Sequence, residues 1–153
     1  MAKASRDKGA RGEREIIDLL QPIVDTAYKA VGKEPPRLQC TSSLQADGGG
    51  CDVHGLPGLA LEVKRCETLQ IESWWRQCVQ QSKAGQLPVL VYRQNGRKWI
   101  VRLLLQIAVP SIMLVVADIA IEAFAAYFAA CLRLSLNAHI NPATVRSICD
   151  ANL

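Results

Sequence analysis

The stretch GCDVHGLPGLALEVKR, residues 50–65, holds Asp52, then nine residues, then a Glu62-Val63-Lys64 triplet. Glu62 and Lys64 stand two apart inside an otherwise apolar run. In a strand, alternate side chains share a face, so Leu61 and Val63 go to one side while Glu62 and Lys64 go together to the other. An unpaired carboxylate in such a place is strongly unfavourable, because its transfer out of water costs more than packing returns. A divalent cation removes the difficulty: Mg²⁺ takes hard oxygen ligands, usually one or two carboxylates with waters and substrate phosphate. A lysine beside it can orient the attacking water, stabilise charge developing on a phosphate, or move a proton if its pKa is lowered. The chemistry these residue types point to is metal-dependent phosphodiester hydrolysis, with Asp52 and Glu62 at its centre and Lys64 alongside.

These residues need elements to position them. Ile16, Ile17, Leu20, Val24, Ala27 and Val31 recur at steps of three and four, which predicts an amphipathic helix from about Arg11, ended by Gly32 and the Pro35-Pro36 pair. Extended back one turn, the stripe lands on Glu13, at the N-terminal rim of the buried face. The residues before it, MAKASRDKGARG, are small, basic and glycine-dotted and are expected to form a mobile arm. A strand over 37–45, a flexible loop ADGGG, and two strands, CDVHG and LALEVKR, joined by a turn at 55–58 come next. Residues 71–85 suit a helix with Ile71, Trp74, Trp75 and Cys78 inward and Gly85 as its stop. Residues 88–105 read as a hairpin around Asn95-Gly96, a pair suited to tight reversal. The tail predicts a buried strand over 112–117, a helix over 118–134, and a last short helix capped by Asn141 with Pro142 at its first position.

The chain has 153 residues, a formal charge of +4 and six cysteines. That length suits one domain, 1–153, with a core of its own. Residues 1–102 hold 16 Lys/Arg against 11 Asp/Glu, whereas 103–153 hold two against three, so the basic character belongs to the front two thirds and favours a polyanionic partner. No apolar signal segment opens the sequence, and reduced thiols in a cytoplasm are expected. Cys51 and His54 with Cys66 and Cys40 form no convincing zinc pattern, since there is no CxxC pair. Gln106, Pro110, Asp118 and Glu122 interrupt the apolar tail, which argues against a membrane span.

GCDVHGLPGLALEVKR resembles the Asp-x(n)-Glu-x-Lys motif of the PD-(D/E)XK nuclease superfamily. DKGARGEREIIDLL, residues 7–20, resembles the opening helix of archaeal-type Holliday junction resolvases and their phage relatives, in which a Lys-Gly pair, here Lys8-Gly9, precedes a metal-associated glutamate, here Glu13. The resemblance covers about residues 8–103 and leaves 104–153 as an apolar strand and helix extension. It implies a restriction-endonuclease-like α/β fold, a mixed sheet of about five strands flanked by helices. It also implies an Mg²⁺-dependent endodeoxyribonuclease, with Mn²⁺ as a substitute, working as a homodimer on branched DNA in a bacterial or phage-infected cell. Asp52 and Glu62 would ligate the metal with the Val63 carbonyl, Glu13 would bind it directly or through water, and Lys64 would be the catalytic lysine. Gln77 would supply a glutamine found on the following helix in several family members, with Gln80 and Gln81 as rivals. Cys51 stands where the superfamily has its proline, which supplies no ligand. Ser42 or Ser43 matches a serine that resolvases carry before the aspartate.

Around this centre, Lys3, Arg6, Lys8, Arg11 and Arg14 make a candidate phosphate-contacting arm, and Arg65, Arg76, Arg93, Arg97 and Lys98 a basic rim that would position DNA without reading bases. Trp74, Trp75 and Trp99 are expected in the core and His54 in a turn. The alternatives are a repair or restriction-like endonuclease without junction preference and a DNA-binding module with no catalytic activity.

Overall fold

A computed structural model describes the backbone of residues 2–40, 51–108 and 112–137, and the side chains of 9–40, 51–106 and 114–137. Three helices and six strands follow one another as α1 (Ala2–Lys29), β1 (Gln39–Cys40), β2 (Val53–His54), β3 (Leu59–Cys66), α2 (Ile71–Gln81), β4 (Leu87–Gln94), β5 (Ile100–Ala108), β6 (Ile112–Ala120) and α3 (Ile121–Asn137). The strands form one mixed sheet in the order β1-β2-β3-β4-β5-β6. Every neighbouring pair is antiparallel except β3 and β4, which run parallel with α2 as their crossover. The α/β class is as expected, with six strands rather than about five.

Alternation along the strands sorts the core into two layers. Leu61, Val63, Val89, Val91, Val101 and Leu103 meet Ile16, Leu20 and Val24 of α1 and Phe124, Phe128 and Leu132 of α3. On the opposite face, Leu90 and Tyr92 meet Trp74, Trp75 and Cys78 of α2. All three tryptophans are buried, as expected. Burying each such side chain contributes about 1.5–3 kcal/mol, so the sheet is held from both sides.

α1 differs from expectation at its start. It is helical from Ala2, where a mobile arm was expected before Arg11. Alanine, lysine and arginine dominate that segment and favour helix strongly enough to carry Gly9 and Gly12 within it. Its end is as read: Lys33 N–H bonds the Tyr28 carbonyl and Gly32 N–H the Lys29 carbonyl, with Gly32 at φ 68°. This is the Schellman arrangement that glycine permits. Gln21 then clamps the outgoing chain, accepting Leu38 N–H at 2.8 Å and donating to the Pro36 carbonyl at 3.1 Å.

α2 stops at Gln81, short of Gly85, because Ser82 turns to extended backbone and its hydroxyl donates to the Cys78 carbonyl. β6 runs to Ala120 rather than ending at 117, and α3 follows without a loop. Asp118, expected to begin the helix, is instead a strand residue opposite Arg102, which binds it through two nitrogens. The expected loop over 46–50, the outer part of the 37–45 strand, Ser42, Ser43 and the last short helix lie outside the described residues.

Candidate functional site

β3 carries the Glu62-Val63-Lys64 triplet through the middle of the sheet. Its inward register is fixed by Leu61 and Val63, which bury against α1 and leave Glu62 and Lys64 on the face that α2 covers. Glu62 is 4% exposed and is the buried charged residue of the described core. Its carboxylate pairs with the Lys64 ammonium.

β2 is two residues long and pairs with β3 at Val53 and Leu61. Just before it, Asp52 returns its side chain to the strand: Oδ2 accepts the Val63 N–H at 2.8 Å. A carboxylate thereby does what a backbone carbonyl does in a regular ladder, and Asp52 is held against the residue between Glu62 and Lys64. Glu13 arrives from α1, half-buried, and its charge is felt at both Glu62 and Cys40.

The electrostatics are those of crowded anions. Burial pushes the Asp52 carboxyl above its ordinary range, against the lowering effects of the Val63 N–H, Lys64 and His54. Glu62 is pushed up by burial, by the Asp52 charge and by Glu13, with Lys64 opposing. Burial pulls Lys64 down, yet its bond to Glu62 and the Asp52 charge outweigh that and leave it raised. Such raised carboxyls mean that the folded chain works against mutual repulsion and desolvation. A cation beside Asp52 and Glu62 would relieve both, and two carboxylates with a nearby backbone carbonyl suit Mg²⁺. Among the described residues, no three His, Cys, Asp or Glu side chains already lie close enough together to hold a metal ion. Glu62 is turned onto Lys64 and Asp52 onto Val63, so a cation would exchange places with the lysine at Glu62.

The remaining candidates are scattered. Gln77 and Gln80 are exposed on α2. Gln81 is the glutamine that reaches the centre: it lines a small recess with Cys51, Ala60, Leu61, Glu62 and Cys78, and its Oε1 is buried without a partner. Spacing alone did not separate the three, because the end of α2 decides which one turns inward. Cys78, in the same recess, has its thiol pushed up to about 12 by burial and by Glu62. Cys66, Cys78 and Cys131 are free thiols.

Arg11 and Arg14 are exposed on α1, as is Arg76 on α2, whose Nε bonds the Glu72 carbonyl. Arg97 and Lys98 are exposed in the β4–β5 turn, whereas the side chains of Lys3, Arg6 and Lys8 lie outside the described residues. Arg65 and Arg93 are not on the rim but half-buried on the α1 face, both bonded to Glu15. Sequence reading missed Glu15. The available signal was Arg65 itself, which by alternation shares the face of Leu61 and Val63 and therefore needs an anion there. No described helix is long and apolar enough to cross a membrane.

A family model described as "Phage putative PDDEXK endonuclease" matches residues 4–126. The match runs past Leu103 through β6 into α3, so the likeness extends further than residues 8–103. No curated protein and no solved structure matches the chain.

Proposed function

The chain belongs to the phage PDDEXK endonuclease family, and from that premise we propose a metal-dependent endodeoxyribonuclease centred on Asp52, Glu62 and Lys64. Membership implies hydrolysis of DNA phosphodiesters with a divalent cation. The observation that carries the assignment of residues is the Asp52 carboxylate seated on the Val63 N–H, beside the buried Glu62 and its paired Lys64. Asp52 and Glu62 would hold Mg²⁺ or Mn²⁺ with the Val63 carbonyl, and Glu13 would complete the set directly or through water. When bound, the cation supplies a water of lowered pKa and screens the phosphoryl oxygens.

The chain's own residues do the rest. Asp52 keeps one oxygen on Val63 N–H, which fixes the carboxylate plane and would leave the other oxygen for a cation. Lys64, released from Glu62, donates to a non-bridging phosphate oxygen and stabilises the charge that grows there. Gln81, whose buried Oε1 has no partner and which lines the recess with Glu62, replaces Gln77 as the candidate glutamine of this helix.

A preference for branched DNA and a homodimeric state are the finer parts of the proposal. They rest on Lys8-Gly9 followed by Glu13, the pattern of the resolvase opening helix. The test is to incubate the full chain with a four-way junction, a flap, a nicked duplex and a linear duplex in Mg²⁺, beside Asp52→Ala. Cleavage that disappears in the variant supports the centre, and cleavage that survives removes it. Linear duplex cut as fast as the junction removes the junction preference alone, leaving a repair or restriction-like nuclease. DNA binding that is equal in EDTA and Mg²⁺ without any cutting identifies a binding module.

A further inference from the structure

On the sheet face opposite Glu62 and Lys64, two arginines stand side by side. Arg65 is the register partner of Arg93 across the parallel β3–β4 pair, and like charges directly opposed on neighbouring strands are destabilising. Their side chains are 22% and 18% exposed, so water screens them poorly. One carboxylate serves both. Glu15 Oε1 accepts from Arg65 Nη1 at 3.0 Å and from Arg93 Nη2 at 2.9 Å, while Oε2 accepts from Trp99 Nε1 at 3.2 Å. The Arg93 guanidinium also lies over the Trp99 ring, 4.4 Å from its centroid.

This is an anion cradle: two planar guanidiniums and an indole N–H converge on one acceptor group, the geometry that suits carboxylate and phosphate alike. The donors are the more buried members, and Arg93 is further held by stacking on Trp99. Glu15 is the outer member, 41% exposed, reaching in from α1 on a flexible stem. Two cations against one anion leave the cluster one positive charge in excess, and the Nε of each arginine has no partner. A tie between α1 and the sheet needs only one arginine. The second adds a like charge that one carboxylate cannot balance.

We propose that the cradle is a backbone-phosphate site for the DNA substrate, and that Glu15 holds the place of the phosphate until DNA arrives. The proposal rests on the nuclease reading and adds a second contact point to it. Arg65 directly follows Lys64, and among the described residues β3 has no β2 neighbour beyond Leu61. A duplex that reaches this end of β3 would meet Lys64 on one face and Arg65 with Arg93 on the other. Binding exchanges an internal carboxylate for a phosphate, so Glu15 competes with DNA for the same donors.

The test is a titration of a short labelled duplex with the full chain in EDTA, repeated over a salt series. Glu15→Gln removes the competing charge and keeps the side-chain shape. It is expected to tighten binding about tenfold and to steepen the slope of log K against log salt by about one unit, the increment of one added phosphate contact. Adding Arg93→Gln should abolish both gains. If Glu15 serves only to tie α1 to the sheet, Glu15→Gln lowers the melting temperature without tightening binding or steepening the slope, and the proposal is overturned. Should that variant fail to fold, Glu15→Asp, which withdraws the carboxylate by one methylene, must move the affinity in the same direction; a flat response again overturns the site. A folded wild-type chain that binds neither the duplex nor a four-way junction, in EDTA or in Mg²⁺, overturns the nuclease reading together with this site, whereas binding and cleavage with no Glu15 effect overturns the site alone.

Discussion

Two glycines three residues apart in α1 have opposite reasons for being there. A Cβ built on Gly12 would stand 3.2 Å from Trp99 Cη2, 3.5 Å from Val63 Cγ1 and 3.6 Å from Arg65 Cβ, while one built on Gly9 meets nothing within 4 Å. Gly12 is thus where α1 touches the sheet, directly beside Glu13 and over the strand that carries Glu62 and Lys64. Gly12→Val should push the helix off that strand and cost about 1–3 kcal/mol of overpacking. Gly9→Ala should stabilise by up to about 1 kcal/mol, since it only raises helix propensity. Urea midpoints of the two variants should therefore move in opposite directions; a Gly12→Val protein as stable as wild type would mean that α1 does not approach β3 this closely.

At the scale of elements, one ion network decides where the last strand ends. Arg102 on β5 binds Asp118 on β6 at 2.8 and 2.7 Å and also reaches Glu72 on α2. It therefore ties α2 to the far side of the sheet, and Arg102→Ala should cost about 2 kcal/mol in a denaturant melt. The bond to Arg102 holds the Asp118 carboxyl below its ordinary range. A depressed carboxylate contributes stability above its unfolded pKa and loses it as pH falls through the folded value, so this contribution should fade below about pH 4. Asp118→Asn should remove that part of the acid limb, and an unchanged limb would count against the pair. The same network marks the boundary of what sequence could show. The stripe from Ile16 to Ala27, the alternation in LALEVK and the Asn95-Gly96 reversal were legible because each is a local period or turn preference. Asp118 read as a helix start because local pattern cannot see Arg102, a partner 16 residues away. Glu15 and the inward turn of Gln81 were hidden for the same reason: each is decided by a distant strand or by where a helix happens to stop. The centre itself was half legible, since alternation gave the shared face of Glu62 and Lys64 but not the Asp52 side chain on Val63 N–H.

For the whole molecule, the candidate centre is a place where the fold works against its own charges. Burial raises Asp52, and burial together with the neighbouring charge of Asp52 raises Glu62. The sign follows from linkage: a carboxylate whose folded pKa lies above its unfolded value destabilises the fold most at neutral pH, and the penalty disappears as pH falls through the folded value. In EDTA the melting temperature should therefore rise on acidification from neutral pH, until the loss at Asp118 sets in at lower pH. A cation that binds the folded chain should relieve the same penalty without any change of pH. At a free Mn²⁺ or Mg²⁺ concentration about a hundredfold above its dissociation constant the gain is about 2.7 kcal/mol. In a chain of this size that corresponds to a rise on the order of 5–10 °C. Asp52→Asn removes one of the opposed charges, so it should melt higher than wild type in EDTA and lose most of the metal-dependent rise, while Asp118→Asn keeps that rise in full. Differential scanning calorimetry of the three proteins with and without metal separates the possibilities. An equal metal-dependent rise in wild type and Asp52→Asn would place the cation elsewhere, and no rise in wild type would mean that Asp52 and Glu62 do not hold one.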